Sequence, residues 1–385
     1  KLFVDTHIRA KSIVLEIDRV ARVGFEGPLM DDSWYGYEWK ILLDNLDFMA
    51  VYPNQWKFDL VRSFARPGLL MGGWHGGYAM YQNPDDLRSY PWFMLFNSCN
   101  SYWFFCGYGG SEAGHPAESV APDLRPLKCF TETSKHVNRI QNGIDRLVLN
   151  AKPVHDRIAI YYSRTSVHGA TVMPAIPTRD YNNNPKWSQY MAAPEMKWGL
   201  NIEANLRLLD DMGLSYVFVD GGDIVAGKLK EDNFTMLVMP FVHSLSEAET
   251  KAVKDFVLAG GSLLADVRPG VFDENIKLLT KGSLDDLLGI RRTDSAVTPL
   301  HDELIEVAIK GTSEILASGG EAGAMLPEQG DYGTAKENDQ VQKSDVIPLP
   351  IDTTVVATSG KAAKKTELDS PIFIVNNYGK GKTCL

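Results

Sequence analysis

The pattern that decides the fold of the first part of this chain lies in residues 66–108, which read RPGLLMGGWHGGYAMYQNPDDLRSYPWFMLFNSCNSYWFFCGY. An apolar strand at 68–71 leads into a loop of glycines and aromatic residues. An amphipathic helix then closes with residues 92–96, and a second strand runs through 103–105. A strand, a helix and a strand in this order predict a βα unit of a parallel sheet.

Aromatic side chains are dense in the same stretch. Strand ends followed by long aromatic loops form the ligand pockets of β/α barrels, so this density predicts a concave site. The alternative interpretation is a core that is rich in aromatic residues. The residues concerned are Trp74, His75, Tyr78, Tyr81, Trp92, Tyr102, Trp103 and Tyr108.

Further strands and helices alternate on the N-terminal side of this stretch. Strands are predicted to begin near residues 22, 47, 68 and 101, and each precedes a helix or a long loop. Four such units make half of an eight-stranded barrel, which would leave two open strand edges. Since the chain also opens at Lys1 without a Met, we expect a segment of a longer protein whose first four strands lie upstream.

A second αβ pattern follows a long helix predicted at 130–150. The apolar segments DRIAIYYS, SYVFVD, FTMLVMP and SLLAD alternate with helical segments. One of those helices is stopped by Gly213, and another opens with Ser246 and Glu249 in capping-box spacing. The pattern predicts a doubly wound, flavodoxin-like sheet over 151–385, with an irregular insertion near 291–370 and a closing hairpin at PIFIVNNYGKGK.

Composition excludes several classes of partner. The chain has 39 basic and 49 acidic residues and a net charge of -10, without the clustered Lys and Arg that nucleic acids or anionic membranes require. No apolar run reaches the roughly 18 to 20 residues that span a bilayer. The cysteines lack metal-ligand spacing, and no metal or other cofactor is predicted. Their pattern also does not distinguish a cytoplasmic protein from a secreted one. They are Cys99, Cys106, Cys129 and Cys384.

The second domain shows no catalytic motif of its own. No GxGxxG follows its first strand, and no Cys occupies a strand-to-helix turn where a glutaminase nucleophile would stand. We therefore predict that this domain serves assembly. A ligand-sensing, amidotransferase-like module is the less favoured alternative.

Four segments of the second αβ pattern together resemble the family 42 glycoside hydrolases, the β-galactosidase-like enzymes. They are RIAIYYSRTSVHG, LLDDMGLSYVFVD, FTMLVMPFVHSLSEAETKAVKDFVLAGGSLLAD and IVNNYGKGK. The resemblance implies the last half of a catalytic (β/α)8 TIM barrel over residues 1–150. It also implies a trimerisation domain with a class I glutamine-amidotransferase-like fold over 151–385, and hence a carbohydrate substrate and a homotrimer.

The same resemblance implies retaining hydrolysis by two carboxylates about 5 to 5.5 Å apart. The acid/base would stand at the end of the fourth strand of the eight-stranded barrel, and that strand is not in this sequence. The nucleophile would stand at the end of the seventh strand of the family's barrel, which corresponds to the third strand predicted in this chain. This strand ends with Gly72 and Gly73. The leading hypothesis is a glycosidase acting on a β-linked sugar. The alternative is a carbohydrate-binding or scaffolding homologue that lacks the seventh-strand nucleophile.

Glu26 is the candidate catalytic residue, because it ends the first predicted strand. A Glu buried among Phe25, Trp34 and Tyr35 would have a raised pKa suited to acid/base chemistry. Glu26 is alternatively a hydrogen-bond acceptor for a substrate hydroxyl. Residues expected to bind substrate are Asp32, Trp34, Tyr52, Trp74, His75, Tyr78 and Trp103; Tyr52 resembles the family's nucleophile-supporting Tyr and Trp103 its sugar-site floor.

Overall fold

The computed structural model describes residues 2–27, 37–51, 55–75, 84–104, 120–121, 123–172, 198–266, 268–292, 355–357, 361–364 and 371–385. These residues form two compact units, which meet in sequence between Val154 and His155. The expected insertion near 291–370 lies mostly outside the described residues.

The first unit alternates helices with parallel strands. Its helices are α1 (Leu2–Ile17), α2 (Trp39–Asn45), α3 (Gln55–Phe64), α4 (Pro84–Phe96), α5 (Lys128–Arg139) and α6 (Asp145–Leu149). Its strands are β1 (Phe25–Gly27), β2 (Phe48–Val51), β3 (Leu70–His75) and β4 (Ser101–Phe104). The strands pair in chain order, β1-β2-β3-β4, and every pair is parallel. The four predicted strands are therefore present.

Two details of the first unit differ from the sequence prediction. β3 continues to His75, because Trp74 and His75 pair with Trp103 and Phe104 of β4. The helix predicted at 130–150 is interrupted by a π-helical turn, Ile140–Ile144, where Gly143 has φ +115°. Gly tolerates this left-handed conformation, which ends the regular α-helical hydrogen bonding.

One face of the four-stranded sheet is packed under helices. Met49, Val51 and Met71 on this face are 4% exposed or less. Phe58 of α3 and Met94 of α4 lie against Gly73 on the same face and are themselves buried. Because successive strand residues alternate between faces, the intervening residues, such as Ala50 and Gly72, lie on the other face, here called the open face.

The second unit contains one large sheet. Its helices are α7 (Arg164–Val172), α8 (Trp198–Asp211), α9 (Gly221–Ala226), α10 (Lys228–Glu231), α11 (Glu247–Leu258) and α12 (Asp285–Leu288). Its strands are β5 (Ile158–Tyr161), β6 (Tyr216–Val219), β7 (Met236–Met239), β8 (Ser262–Ala265), β9 (Ile290–Arg292), β10 (Val355–Ala357), β11 (Lys361–Lys364), β12 (Pro371–Tyr378) and β13 (Gly381–Cys384).

The large sheet has the order β11-β12-β13-β8-β7-β5-β6. β6, β5, β7, β8 and β13 are mutually parallel, and the terminal hairpin β12-β13 is antiparallel. β5 to β8 are largely buried because helices separate them in sequence and cover the sheet. β9 and β10 form a separate antiparallel pair.

Helix ends in the second unit follow the predicted signals. Ser246 Oγ accepts the backbone N–H of Glu249, whose carboxylate in turn accepts the backbone N–H of Ser246 at 2.7 Å. Gly213, the second residue after the end of α8, has φ +71°, as a C-terminal glycine stop requires. The capping box and the glycine stop are thereby confirmed.

Candidate functional site

One row of residues crosses the open face of the first unit. Glu26 pairs with Ala50, Ala50 with Gly72, and Gly72 with Ser101. Register partners in a parallel sheet share a face, so these four residues lie side by side. Trp103 stands two residues beyond Ser101 and therefore on the same face. The row brings Glu26 and Trp103, two of the predicted site residues, to one surface.

Gly72 is the point at which the indole of Trp103 crosses β3. A Cβ atom added to Gly72 would overlap Nε1 and Cδ1 of Trp103 and Oγ of Ser101. The indole therefore occupies the space that a side chain at position 72 would need. A Glu at this position would have to displace the indole.

Gly73 is closed to side chains for a different reason. Its added Cβ would come within 2.7 Å of Cζ of Phe58 and 3.2 Å of Cε of Met94. Those atoms belong to α3 and α4 on the packed face. A carboxylate at position 73 would therefore be buried among apolar side chains and not presented to a ligand.

The polar end of Trp103 is held by the protein itself. Its indole Nε1–H donates to Oγ of Ser101 at 2.6 Å, and Ser101 Oγ–H donates to the carbonyl of Met71 at 3.0 Å. The ring of Phe48, from the same face of β2, lies 5.4 Å from the Trp103 ring at an interplanar angle of 30°. Trp103 and Phe48 both remain partly exposed, so they form an accessible aromatic surface.

Glu26 stands at the β1 end of the row and is exposed to solvent. The expectation of a buried carboxyl is therefore wrong. Its neighbours remove part of the water around the carboxyl, and this desolvation raises the pKa of Glu26 above its ordinary value. The raised pKa agrees with the direction expected from the sequence.

Of the other predicted site residues, Trp74 and His75 lie among the residues that the structure describes. The backbones of Trp74 and His75 belong to β3, where they pair with Trp103 and Phe104. Asp32, Trp34, Tyr52 and Tyr78 lie outside the described residues. Ser101 and Phe48 were not predicted from the sequence; their alternation with neighbouring residues on β4 and β2 is the signal that places them on the face of Trp103.

The second unit has a strained turn after β7. Phe241 has φ +55°, a left-handed conformation that costs an L-residue free energy. Its backbone N–H donates to Asp266 at 2.5 Å. The carboxylate of Asp266 also accepts the amide of Asn205 at 3.0 Å, so half-buried polar groups stabilise this turn.

Two classes of feature are absent from the described residues. Those residues contain no group of three or more His, Cys, Asp or Glu side chains that could hold a metal ion. They also contain no helix that is both long and apolar enough to cross a membrane.

Residues 221–385 match the β-galactosidase trimerisation domain family. A curated relative, β-galactosidase BbgII from Bifidobacterium bifidum, is 26% identical over 243 residues, which cover 62% of this chain and 29% of the relative. The described resemblance to the family 42 glycoside hydrolases is confirmed by these two matches.

Solved structures share the fold. The structure of Gan42B, a GH42 β-galactosidase from G. stearothermophilus, aligns with a TM-score of 0.63 and 15% identity over 96% of this chain and 51% of that one. The structure of a β-galactosidase from Bacillus circulans sp. alkalophilus aligns with a TM-score of 0.65 and 13% identity over 99% of this chain and 52% of that one. The chain thus spans about half the length of these structures and less than a third of the curated relative.

Proposed function

We propose that this chain belongs to a glycoside hydrolase acting on a β-linked sugar, because residues 221–385 match the β-galactosidase trimerisation domain family and a curated β-galactosidase is 26% identical over 243 residues. One observation carries the proposal: Glu26 and Trp103 lie on the same face of a parallel sheet whose other face is packed under helices. A carboxyl group and an aromatic surface on one sheet face are two of the parts that a sugar-cleaving site needs, which also include a second carboxyl group.

The proposed architecture assigns each unit a role. Residues 1–150 supply the last four βα units of a (β/α)8 barrel, supported by the parallel order β1-β2-β3-β4. Residues 151–385 form a doubly wound, flavodoxin-like and amidotransferase-like domain, with 291–370 as an insertion. The order of its first four strands, 2-1-3-4 counted from β5, supports this assignment.

The proposed chemistry is retaining hydrolysis with Glu26 as one of two carboxylates. Desolvation raises the pKa of Glu26, which favours the protonated form of its carboxyl, and a general acid must be protonated to assist the leaving group. Gly72 and Gly73 exclude a carboxylate at their positions, so the second carboxylate must come from elsewhere on the rim. The remaining sugar contacts are proposed for Asp32, Trp34, Tyr52, Trp74, His75 and Tyr78.

A second candidate is a carbohydrate-binding homologue without hydrolytic activity. Gly72 under the indole of Trp103 favours it, because the aromatic surface then replaces the nucleophile of the seventh strand. Such a protein would hold the same β-linked sugar without cleaving it.

One experiment separates the two candidates. The full-length protein is assayed against a panel of nitrophenyl glycosides, and binding of methyl β-D-galactoside is measured by calorimetry. Hydrolysis of a β-glycoside supports the glycosidase, whereas binding without hydrolysis of any panel member supports the second candidate. Neither binding nor hydrolysis would contradict both.

The proposed partner of the second unit is two further copies of the same protein. The match of residues 221–385 to a trimerisation domain supports this proposal. Light scattering on the full-length protein at micromolar concentration should give the mass of a trimer, and a monomer would contradict the assembly role.

A further inference from the structure

The hydroxyl of Ser101 joins β3, β4 and one aromatic side chain. It accepts the indole N–H of Trp103 at 2.6 Å and donates to the carbonyl of Met71 at 3.0 Å. A hydroxyl carries one hydrogen to donate, so the bond to Met71 fixes its direction and leaves a lone pair facing the indole. An indole has a single donor, which this bond uses.

Gly72 supplies the space that this bond requires. The Nε1 and Cδ1 atoms of Trp103 lie where a side chain on Gly72 would begin. Ser101 is also the register partner of Gly72. The indole N–H of Trp103 lies where a side chain of Gly72 would stand, and its acceptor, Ser101 Oγ, lies beside that position. Together they define one orientation of the indole.

From these contacts we infer that Ser101 is a positioning residue, whose hydroxyl holds the indole of Trp103 across β3 and over Gly72. This orientation keeps the indole ring beside Phe48 and turns its N–H inward. Trp103 then offers a ligand its ring surface and no hydrogen bond. The ligand chemistry that fits is the apolar face of a sugar ring, and polar recognition falls to other residues such as Glu26.

The role in sugar binding rests on the proposed function, because it requires Trp103 to touch the sugar. The positioning itself does not, because its contacts all lie within the chain. The test therefore needs one measurement without ligand and one with ligand.

The test compares Ser101→Ala with Ser101→Thr in the full-length protein. Thr keeps the hydroxyl and is well tolerated in strands, so it is the matched control. The protein is labelled with 5-fluorotryptophan, and the ¹⁹F signal of Trp103 is identified by its loss in Trp103→Phe. Without ligand, Ser101→Ala should shift or broaden that signal, and Ser101→Thr should leave it near its wild-type position.

Methyl β-D-galactoside is then the binding probe. Loss of one neutral hydrogen bond should weaken its binding by about threefold to tenfold in Ser101→Ala, with recovery in Ser101→Thr. An unchanged Trp103 signal in Ser101→Ala would overturn the inference. A changed signal in a protein that does not bind the galactoside would support the positioning and count against the proposed function alone.

Discussion

The hydroxyl of Tyr161 donates a 2.7 Å hydrogen bond to the carboxylate of Glu249, a residue 88 positions further along the chain. Tyr161 ends β5 and is 1% exposed. Its burial, together with the neighbouring carboxylate of Glu249, raises the pKa of Tyr161 well above its ordinary value. The Tyr therefore stays protonated and remains a donor. The bond ties the start of α11 to the carboxyl end of β5.

Glu249→Ala should destabilise the second unit by about 1.5–3 kcal/mol, because it removes both a capping-box partner and the acceptor of a buried hydroxyl. Urea unfolding of the full-length protein measures this change. Glu247→Ala, at an exposed position in the same helical turn, is the control and should cost less than about 1 kcal/mol. Equal losses in the two variants would contradict a special role for Glu249.

This pair shows what local sequence can predict and what it cannot. The capping box was predictable, because Ser246 and Glu249 interact within one helical turn. The bond from Tyr161 was not, because nothing in β5 indicates which later residue will lie beside its end. Long-range pairing, and not local propensity, decides such contacts.

The candidate site was predictable to a similar extent. The sequence shows that positions 72 and 73 carry Gly, so that the strand has no carboxylate there. It does not show the physical reason for these glycines. Glycines suggest a strand end, yet β3 continues to His75 because β4 provides pairing partners. The physical reason for Gly72 is the indole of Trp103, which the register of β3 and β4 brings over it.

Asp266 should make stability depend on pH. Its burial raises the pKa of its carboxyl, although the backbone N–H of Phe241 and the amides of Asn205 and Asn201 act in the opposite direction. The folded protein then binds the Asp266 proton more tightly than the unfolded chain, whose Asp pKa is about 3.9. The free energy of unfolding should therefore fall as pH rises from about 3.9 to the raised native pKa.

Asp266→Asn removes this titration and keeps an oxygen that can accept the Phe241 N–H. Denaturant unfolding of the wild type and the variant, measured in steps from about pH 4 upward, gives the difference in their free energies of unfolding. The wild type should lose stability relative to the variant through the window and not beyond it. Parallel curves would show that Asp266 does not titrate differently on folding.

Gly379 and Gly213 allow a comparison of the stability that is lost when a side chain is added to a glycine with positive φ. Both have positive φ, +59° at Gly379 and +71° at Gly213. A Cβ on Gly379 would come within 2.7 Å of Cδ2 and 3.0 Å of the backbone Cα of Leu258, whereas nothing lies within 4 Å of one on Gly213. Gly213→Ala should thus cost about 1–2 kcal/mol of conformational strain alone.

Gly379→Ala should cost more, because the turn between β12 and β13 must also move away from α11. The expected extra loss is about 1–3 kcal/mol, as for other overpacked sites. Thermal unfolding of the two variants beside the wild type measures both losses. A Gly379 variant as stable as the Gly213 variant would indicate that the terminal hairpin is loosely docked.

Glu26→Gln tests the proposed catalytic carboxyl in an active full-length protein. The substitution keeps the shape of the side chain and removes its ionisation, so loss of a general acid or base should lower turnover by about a hundredfold to ten-thousandfold. Because desolvation raises the pKa of Glu26, an acid role also predicts that kcat/KM of the wild type falls as pH rises through that pKa. The variant should lack this limb of the pH profile. Glu16→Gln, at an exposed position on α1, is the control and should match the wild type. If turnover of Glu26→Gln stays within about tenfold of wild type and only the Michaelis constant is raised, Glu26 is a substrate-binding residue and not a catalytic one.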